Sequence, residues 1–142
     1  MDILIIGYGS AGKRHAKILS SFKLVKNIFI KTNQNFKNKK KIIFVKTINN
    51  LNPDLIVVAN ETAKHYRSCL YIEKNFRKKL IVVEKPLFHK FYDFKPQKNE
   101  YYVAYNLRYH PILRFIKNKF NNKDPFYIEA ESSSYLPSWR KN

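Results

Sequence analysis

The sequence predicts an α/β fold, a doubly wound parallel sheet, and three observations carry that reading. A short apolar run at residues 3–6 leads straight into Gly7-x-Gly9-x-x-Gly12, and a helix-compatible segment follows over residues 13–22. Residues 54–60 (Asp-Leu-Ile-Val-Val-Ala-Asn) are apolar on both faces and rich in β-branched side chains, as central parallel strands covered by helices are. Further short apolar runs alternate with helical segments, which is the pattern of βαβ units.

The elements follow in order. The first strand is residues 3–6. Residues 27–31 (Asn-Ile-Phe-Ile-Lys) read as the second strand, 33–41 as a polar, lysine-rich loop, and 42–45 as the third strand. Only residues 46–53 separate the third strand from the fourth, too few for a full crossover helix. Residues 62–75 then read as a helix, with Thr62 placed to cap it. Residues 80–83 and 101–105 are the fifth and sixth strands, and the segment between them, 87–100, carries aromatics, Pro96 and lysines without a helical period. After the sixth strand, Ile112, Leu113, Phe115, Ile116 and Phe120 fit one face of a helix over 111–120. Residues 121–125 read as a linker and 126–136 as a strand that begins something new. The domain expectation is therefore residues 1–120, with 121–142 as linker and start of a second domain.

The glycine corner makes the predicted sheet Rossmann-type. Gly7 permits a sharp turn out of the strand, Gly9 lets the backbone approach a phosphate, and Gly12 lets the helix pack on the strand. The free N–H groups and positive dipole end of the helix then face an anion, which places a pyrophosphate over Gly7, Tyr8, Gly9, Ser10, Ala11 and Gly12. The same pattern also occurs as a glycine-rich turn with no ligand.

Composition bounds the partners. The chain has 142 residues, a formal net charge of +18 and a single cysteine, Cys69. One cysteine excludes an internal disulfide framework and a cysteine metal cluster, and no metal is expected. No signal peptide is visible and no apolar run approaches the ~20 residues of a membrane span, so a cytoplasmic, membrane-free protein is expected. The charge has two readings: an anionic or nucleic-acid partner, or a compositional bias that enriches Lys, Asn, Ile, Phe and Tyr together. Lysine far outnumbers arginine, the better base-reading residue, which favours the second reading. No specific nucleic acid is expected.

Ligands of parallel sheets sit at the carboxyl ends of the strands. Polar residues gather there: Lys31, Thr32 and Asn33 after the second strand; Asn60, Glu61 and Thr62 after the fourth, with His65 one turn on; Glu84, Lys85 and Pro86 after the fifth; Asn106, Arg108 and His110 after the sixth. An NAD site calls for Asp or Glu at the end of the second strand, to hold the ribose diol. This chain offers Lys31 and Thr32 instead, with Lys37 and Lys39 to Lys41 on the following loop. The cofactor expectation is NADP or NAD, with NADP favoured because a lysine attracts a 2′-phosphate; the alternative is a solvated lysine loop with the ribose held by Thr32 or Asn33. His65 is expected to line the cofactor cleft, and His15 to pack on the first helix.

Four motifs in register resemble one family. Gly7-x-Gly9-x-x-Gly12-x-Arg14-His15, Asn60-x-Thr62, Glu84-Lys85-Pro86 and Tyr105-Asn106-x-Arg108-Tyr109-His110-Pro111 are similar to motifs of the Gfo/Idh/MocA-type (glucose–fructose oxidoreductase and inositol dehydrogenase) oxidoreductases. The resemblance covers nearly the whole chain. It implies NAD(P)-dependent hydride transfer on a hydroxyl carbon of a sugar or cyclitol. It makes Lys85 the catalytic residue beside the nicotinamide, where a cationic amine polarises a carbonyl or relays a proton. It implies a Lys85–Pro86 bond of a kind often cis in the family, and cleft positions for Asn106 and Arg108. The family also has a second, α+β domain that binds substrate, mediates dimers, and supplies an Asp and a His to the proton relay. Asp93 and Asp124 do not stand in a matching context. The chain is thus expected to stop at the first strand of that domain, and to work as a homo-oligomer or beside a separate C-terminal half. Two other functions stay open: a non-catalytic dinucleotide-binding module, and a basic nucleic-acid-binding protein.

Overall fold

The structure is a computed structural model that describes residues 1–120, 127 and 129–131. The chain divides into two compact units, Met1–Tyr105 and Asn106–Asn142, and the expected second domain over 121–142 falls largely outside the described residues. The strand expected over 126–136 falls largely outside the described residues.

In the first unit, strands β1 (Asp2–Ile6), β2 (Asn27–Lys31), β3 (Ile42–Val45), β4 (Leu55–Val58), β5 (Leu80–Val83) and β6 (Glu100–Val103) form one sheet in the order β3-β2-β1-β4-β5-β6. Every pairing is parallel. Helices α1 (Ser10–Ser20) and α2 (Thr62–Asn75) cross over it. Strand order reverses between β1 and β4, which opens a crevice at their carboxyl ends.

Alternation along the strands sorts the core into two layers. Ile3, Ile5, Ile28, Ile30, Val57 and Ala59 pack with Ala16 of α1. Leu4, Ile6, Ile56, Val58, Ile81 and Val83 pack with Cys69 and Ile72 of α2. Both faces of β1 and β4 are therefore buried, as their unbroken apolar runs require. Helices are absent where the sequence lacks room or period for them. Ile48 and Leu51 from residues 46–54 pack on the α2 layer, as do Leu87, Phe88 and Phe94 from the β5–β6 connection.

That connection is held by an aromatic cluster. Tyr66 of α2 stacks on Tyr92 at 3.8 Å, and Phe88 and Phe94 meet edge to face at 5.6 Å. The Glu73 carboxylate accepts the Gln97 and Lys98 backbone N–H groups, both at 3.1 Å, and the Asn99 side-chain amide at 2.7 Å.

Helix α1 starts at Ser10, three residues before the expected start, because Gly9 is already its N-cap and Lys13 N–H donates to the Gly9 carbonyl at 2.9 Å. The fourth strand is Leu55–Val58, since Asn60 has already turned against Gly7. In the second unit, a 3-10 turn (Asn106–Tyr109) leads into α3 (Pro111–Lys119), whose first turn carries the expected proline. Among the described residues, no helix is long and apolar enough to cross a membrane.

Candidate functional site

Hydrogen bonds that run past the strand ends fix the loops to one another. Gly7 N–H donates to the Lys31 carbonyl at 3.0 Å, Ala59 N–H to Ile6 at 2.8 Å, and Glu84 N–H to Val58 at 2.9 Å. The loops after β1, β2, β4 and β5 thus form one connected rim.

Gly7 is needed twice over. Its φ is +101°, and a Cβ there would lie 2.5 Å from the Asn60 backbone. No side chain but hydrogen tolerates both. Gly12 is buried, and a Cβ on it would press on the Gly7 carbonyl, 3.0 Å from the carbon and closer to the oxygen. Gly9 differs: a Cβ there would meet no protein atom within 4 Å. Packing does not demand a glycine at position 9.

Above this corner lies a cleft of about 550 Å³, lined by Gly7, Tyr8, Gly9, Ser10, Ala11, Lys31, Thr32 and Asn60 among the expected residues. Ile6, Asn33, Gln34, Ala59, Glu61 and Lys64 complete it. No side chain caps the N-terminus of α1, and its first turn carries no acid. The helix-end N–H groups and the dipole are left for an anion. Asn60 donates from Nδ2 to Ser68 Oγ at 3.0 Å, and its Oδ1 is buried without a partner. The residues present fit a dinucleotide: open room over Gly9, an uncapped helix end beneath it, and a buried acceptor beside it.

The β2 side of the cleft is organised by two lysines. Lys31 Nζ donates to the Lys46 carbonyl. Lys46 Nζ donates to the carbonyls of Asn33 and Gln34 and to Asn35 Oδ1, at 2.9, 3.3 and 3.0 Å. Thr32 Oγ1 accepts Gln34 N–H at 3.2 Å. Lys41, one of the lysines expected near a ribose phosphate, instead donates to the carbonyls of Ser20 and Phe22 at the end of α1. Tyr8 packs edge to face against Phe36 and Phe44, each at 5.0 Å, and the Lys13 ammonium lies 5.7 Å over its ring.

At the mouth, Glu61 and Lys64 form an exposed pair at 3.0 Å. Glu61's own backbone N–H, then Lys64, hold its carboxyl below the ordinary value. The order Asn60-Glu61-Thr62 at a strand end had flagged this loop. Lys46 gave no comparable signal, because its role depends on the carbonyls it gathers.

Other expected residues take different places. His65 does not line the cleft: it is 1% exposed. Its Nδ1 lies 3.2 and 3.1 Å from the carbonyls of Pro86 and Leu87, and its Nε2 lies 3.1 Å from that of Asn60. It fills the space between the loop after β4 and the loop after β5. Thr62 starts α2 without a capping bond, since the N-cap is Glu61. His15 is not a packing residue. Its Nε2 donates to Glu84 Oε1 at 2.7 Å. The Lys85–Pro86 peptide is cis. Lys85 and Pro86 are exposed and, with Glu84, stand outside the residues that line the cleft. Asn106 and Arg108 belong to the second unit, on the 3-10 turn.

No protein-family model matches the sequence, and no curated protein does. Solved structures match in fold. Myo-inositol 2-dehydrogenase from Lactobacillus plantarum superposes with a TM-score of 0.67 at 21% identity, over 86% of this chain and 41% of that one. An NAD-binding protein from Listeria innocua gives 0.62 at 19%, over 86% of this chain and 40% of that one. A Rex-family repressor gives 0.50 at 19%, over 86% of this chain and 62% of that one. The chain thus spans about two fifths of the length of the first two. At these identities the likeness shows the fold: a Rossmann-type parallel sheet.

Proposed function

We propose that residues 1–105 bind a nicotinamide dinucleotide, NADP in preference to NAD, as the coenzyme-binding part of an oxidoreductase acting on a hydroxyl carbon of a sugar or cyclitol. The observation that carries the reading is the free space over Gly9 at the uncapped end of α1. The solved neighbours include an inositol dehydrogenase and an NAD-binding protein, which supports it. The four motifs shared with the Gfo/Idh/MocA-type family point the same way.

When bound, the coenzyme supplies the hydride acceptor or donor. The turn from Gly7 to Gly12 holds the pyrophosphate, and Asn60 lies beside it. Lys31, Thr32 and the Lys46-bound loop receive the ribose without presenting a carboxylate, which leaves room for a 2′-phosphate. Lys85 is the proton-handling residue. Its ammonium makes no hydrogen bond among the described residues, so it is free to engage a substrate oxygen. The protein works in the cytoplasm, as a homo-oligomer or with a partner polypeptide, and reads no nucleic acid.

Calorimetric titration with NADPH and NADH tests the binding. Turnover on a panel of polyols, lost in Lys85→Ala with binding intact, tests the chemistry. One observation favours a second reading, a non-catalytic dinucleotide-binding module: Lys85 does not line the cleft. That reading predicts binding without turnover.

A further inference from the structure

We propose that His15 is a positioning residue: through the Glu84 carboxylate it holds the loop that carries Lys85 and fastens that loop to α1. The proposal rests on the dinucleotide reading for its functional meaning, because α1 is the helix whose N-terminus would receive the pyrophosphate.

His15 sits on α1 between Gly12 and Ala16, the two residues that bury the helix against the sheet. Its side chain reaches the end of β5, where Nε2 donates to Glu84 Oε1 at 2.7 Å, within the range of charge-assisted bonds. The other oxygen of the same carboxylate accepts the Lys85 backbone N–H at 3.2 Å. Glu84 is therefore held at two points: its backbone N–H on the Val58 carbonyl and its side chain on α1. Downstream, the buried His65 holds the carbonyls of Pro86 and Leu87. Lys85 lies between two loop segments, each fixed by a histidine from a different helix, while its own ammonium stays exposed.

The pair is 26% and 21% exposed. Neither residue belongs to the two buried layers of the core, so removing the pair leaves the packing of the sheet in place. Its effect is local, and this separates positioning from a merely structural role. A structural role would loosen the whole fold when removed, whereas a positioning role loosens only the loop.

Hydrogen exchange by mass spectrometry on the full chain tests this without any ligand. In His15→Ala, peptides covering residues 84–90 are expected to exchange at least five-fold faster. Peptides from β1, β4 and the interior of α2 stay unchanged. His15→Gln, whose side-chain amide reaches about as far as Nε2, restores most of the protection. Glu84→Gln keeps an acceptor but weakens the bond, and falls between the two. Unchanged exchange over 84–90 in His15→Ala overturns the proposal, and so does faster exchange throughout the chain. A parallel titration with NADPH separates the two claims. The native chain gains protection over 84–90 on binding, and His15→Ala binds with a Kd within about three-fold but gains none. A native chain that binds neither NADPH nor NADH overturns the dinucleotide reading, and the positioning role is then decided by the ligand-free exchange alone.

Discussion

Gly7 and Gly9 stand two residues apart in one motif, yet the structure gives them opposite reasons to be glycine, and alanine substitutions separate the two. At Gly7 the backbone has φ +101°, and an added Cβ would sit 2.5 Å from two Asn60 backbone atoms and 2.6 Å from the Ala59 oxygen. The strained dihedral costs about 1–3 kcal/mol. The overlap, which only backbone movement relieves, costs about as much again. Gly7→Ala is therefore expected to lose about 4 kcal/mol, a fall in Tm of roughly 16–32 °C for a unit of this size. At Gly9 the backbone is extended, with φ −73° and ψ −162°, and a Cβ meets nothing within 4 Å. Alanine there costs under about 1 kcal/mol, as an N-cap exchange.

The methyl group instead enters the room proposed for the pyrophosphate. Affinity for NADPH should fall at least tenfold, about 1.4 kcal/mol. Thermal and urea denaturation read the stabilities, and calorimetry reads the affinities. Gly9→Ala binding as the native chain does would mean that the turn is not the phosphate site. Gly7→Ala melting with the native chain would mean that the approach to Asn60 does not require a glycine at position 7.

Thr32→Asp places a carboxylate at the end of β2, so it should weaken NADPH binding by about tenfold or more while leaving NADH binding equal or improved, as paired titrations would show. Burial, with the nearby Glu73 charge, pushes the Cys69 thiol up to about 12. The native chain should therefore resist iodoacetamide at pH 8, and alkylate fully only after denaturation. Burial alone would raise the Glu73 carboxyl, but its bonds from Asn99, Gln97 and Lys98 outweigh this and hold it below the ordinary 4.5. Its contribution to stability is then complete above that ordinary value and lost as pH falls through the lowered one. Denaturation midpoints followed from pH 6 down to pH 2.5 should show an acid limb that Glu73→Gln flattens.

Local signals made most of this fold legible. β-branched runs, a glycine corner and helix-compatible segments announced the six strands and both crossover helices, and the three connections without a helix showed as polar, short or aperiodic segments. The line of cleft residues from Gly7 to Ala11, with Lys31, Thr32 and Asn60, was legible too, because parallel sheets put ligands at strand ends. The long-range pairs were hidden. His15 and Glu84 are 69 residues apart, and no periodicity links a mid-helix histidine to an acid after the fifth strand. His65 stands one turn into α2, where a cleft residue and a buried one look alike in sequence. Three backbone carbonyls decide its place, and carbonyls leave no mark in a sequence.

The geometry also divides the proposed work between coenzyme and substrate. The first unit holds the cleft proposed for the coenzyme, with an uncapped helix end beneath it, and an exposed lysine on the loop after β5. Hydride transfer needs more, since the carbinol carbon must be held about 3–3.5 Å from the nicotinamide, with its hydroxyl beside a base. Such a wall must close over the carboxyl ends of β4 and β5, the side on which Lys85 lies. Lys85, Pro86 and the Glu61–Lys64 pair are exposed there and form no enclosed apolar floor. Coenzyme affinity should therefore reside in residues 1–105, and substrate turnover should require a second surface. A fragment of residues 1–105 that bound NADPH as tightly as the full chain would support that division. A fragment that also turned over a polyol by itself would refute it.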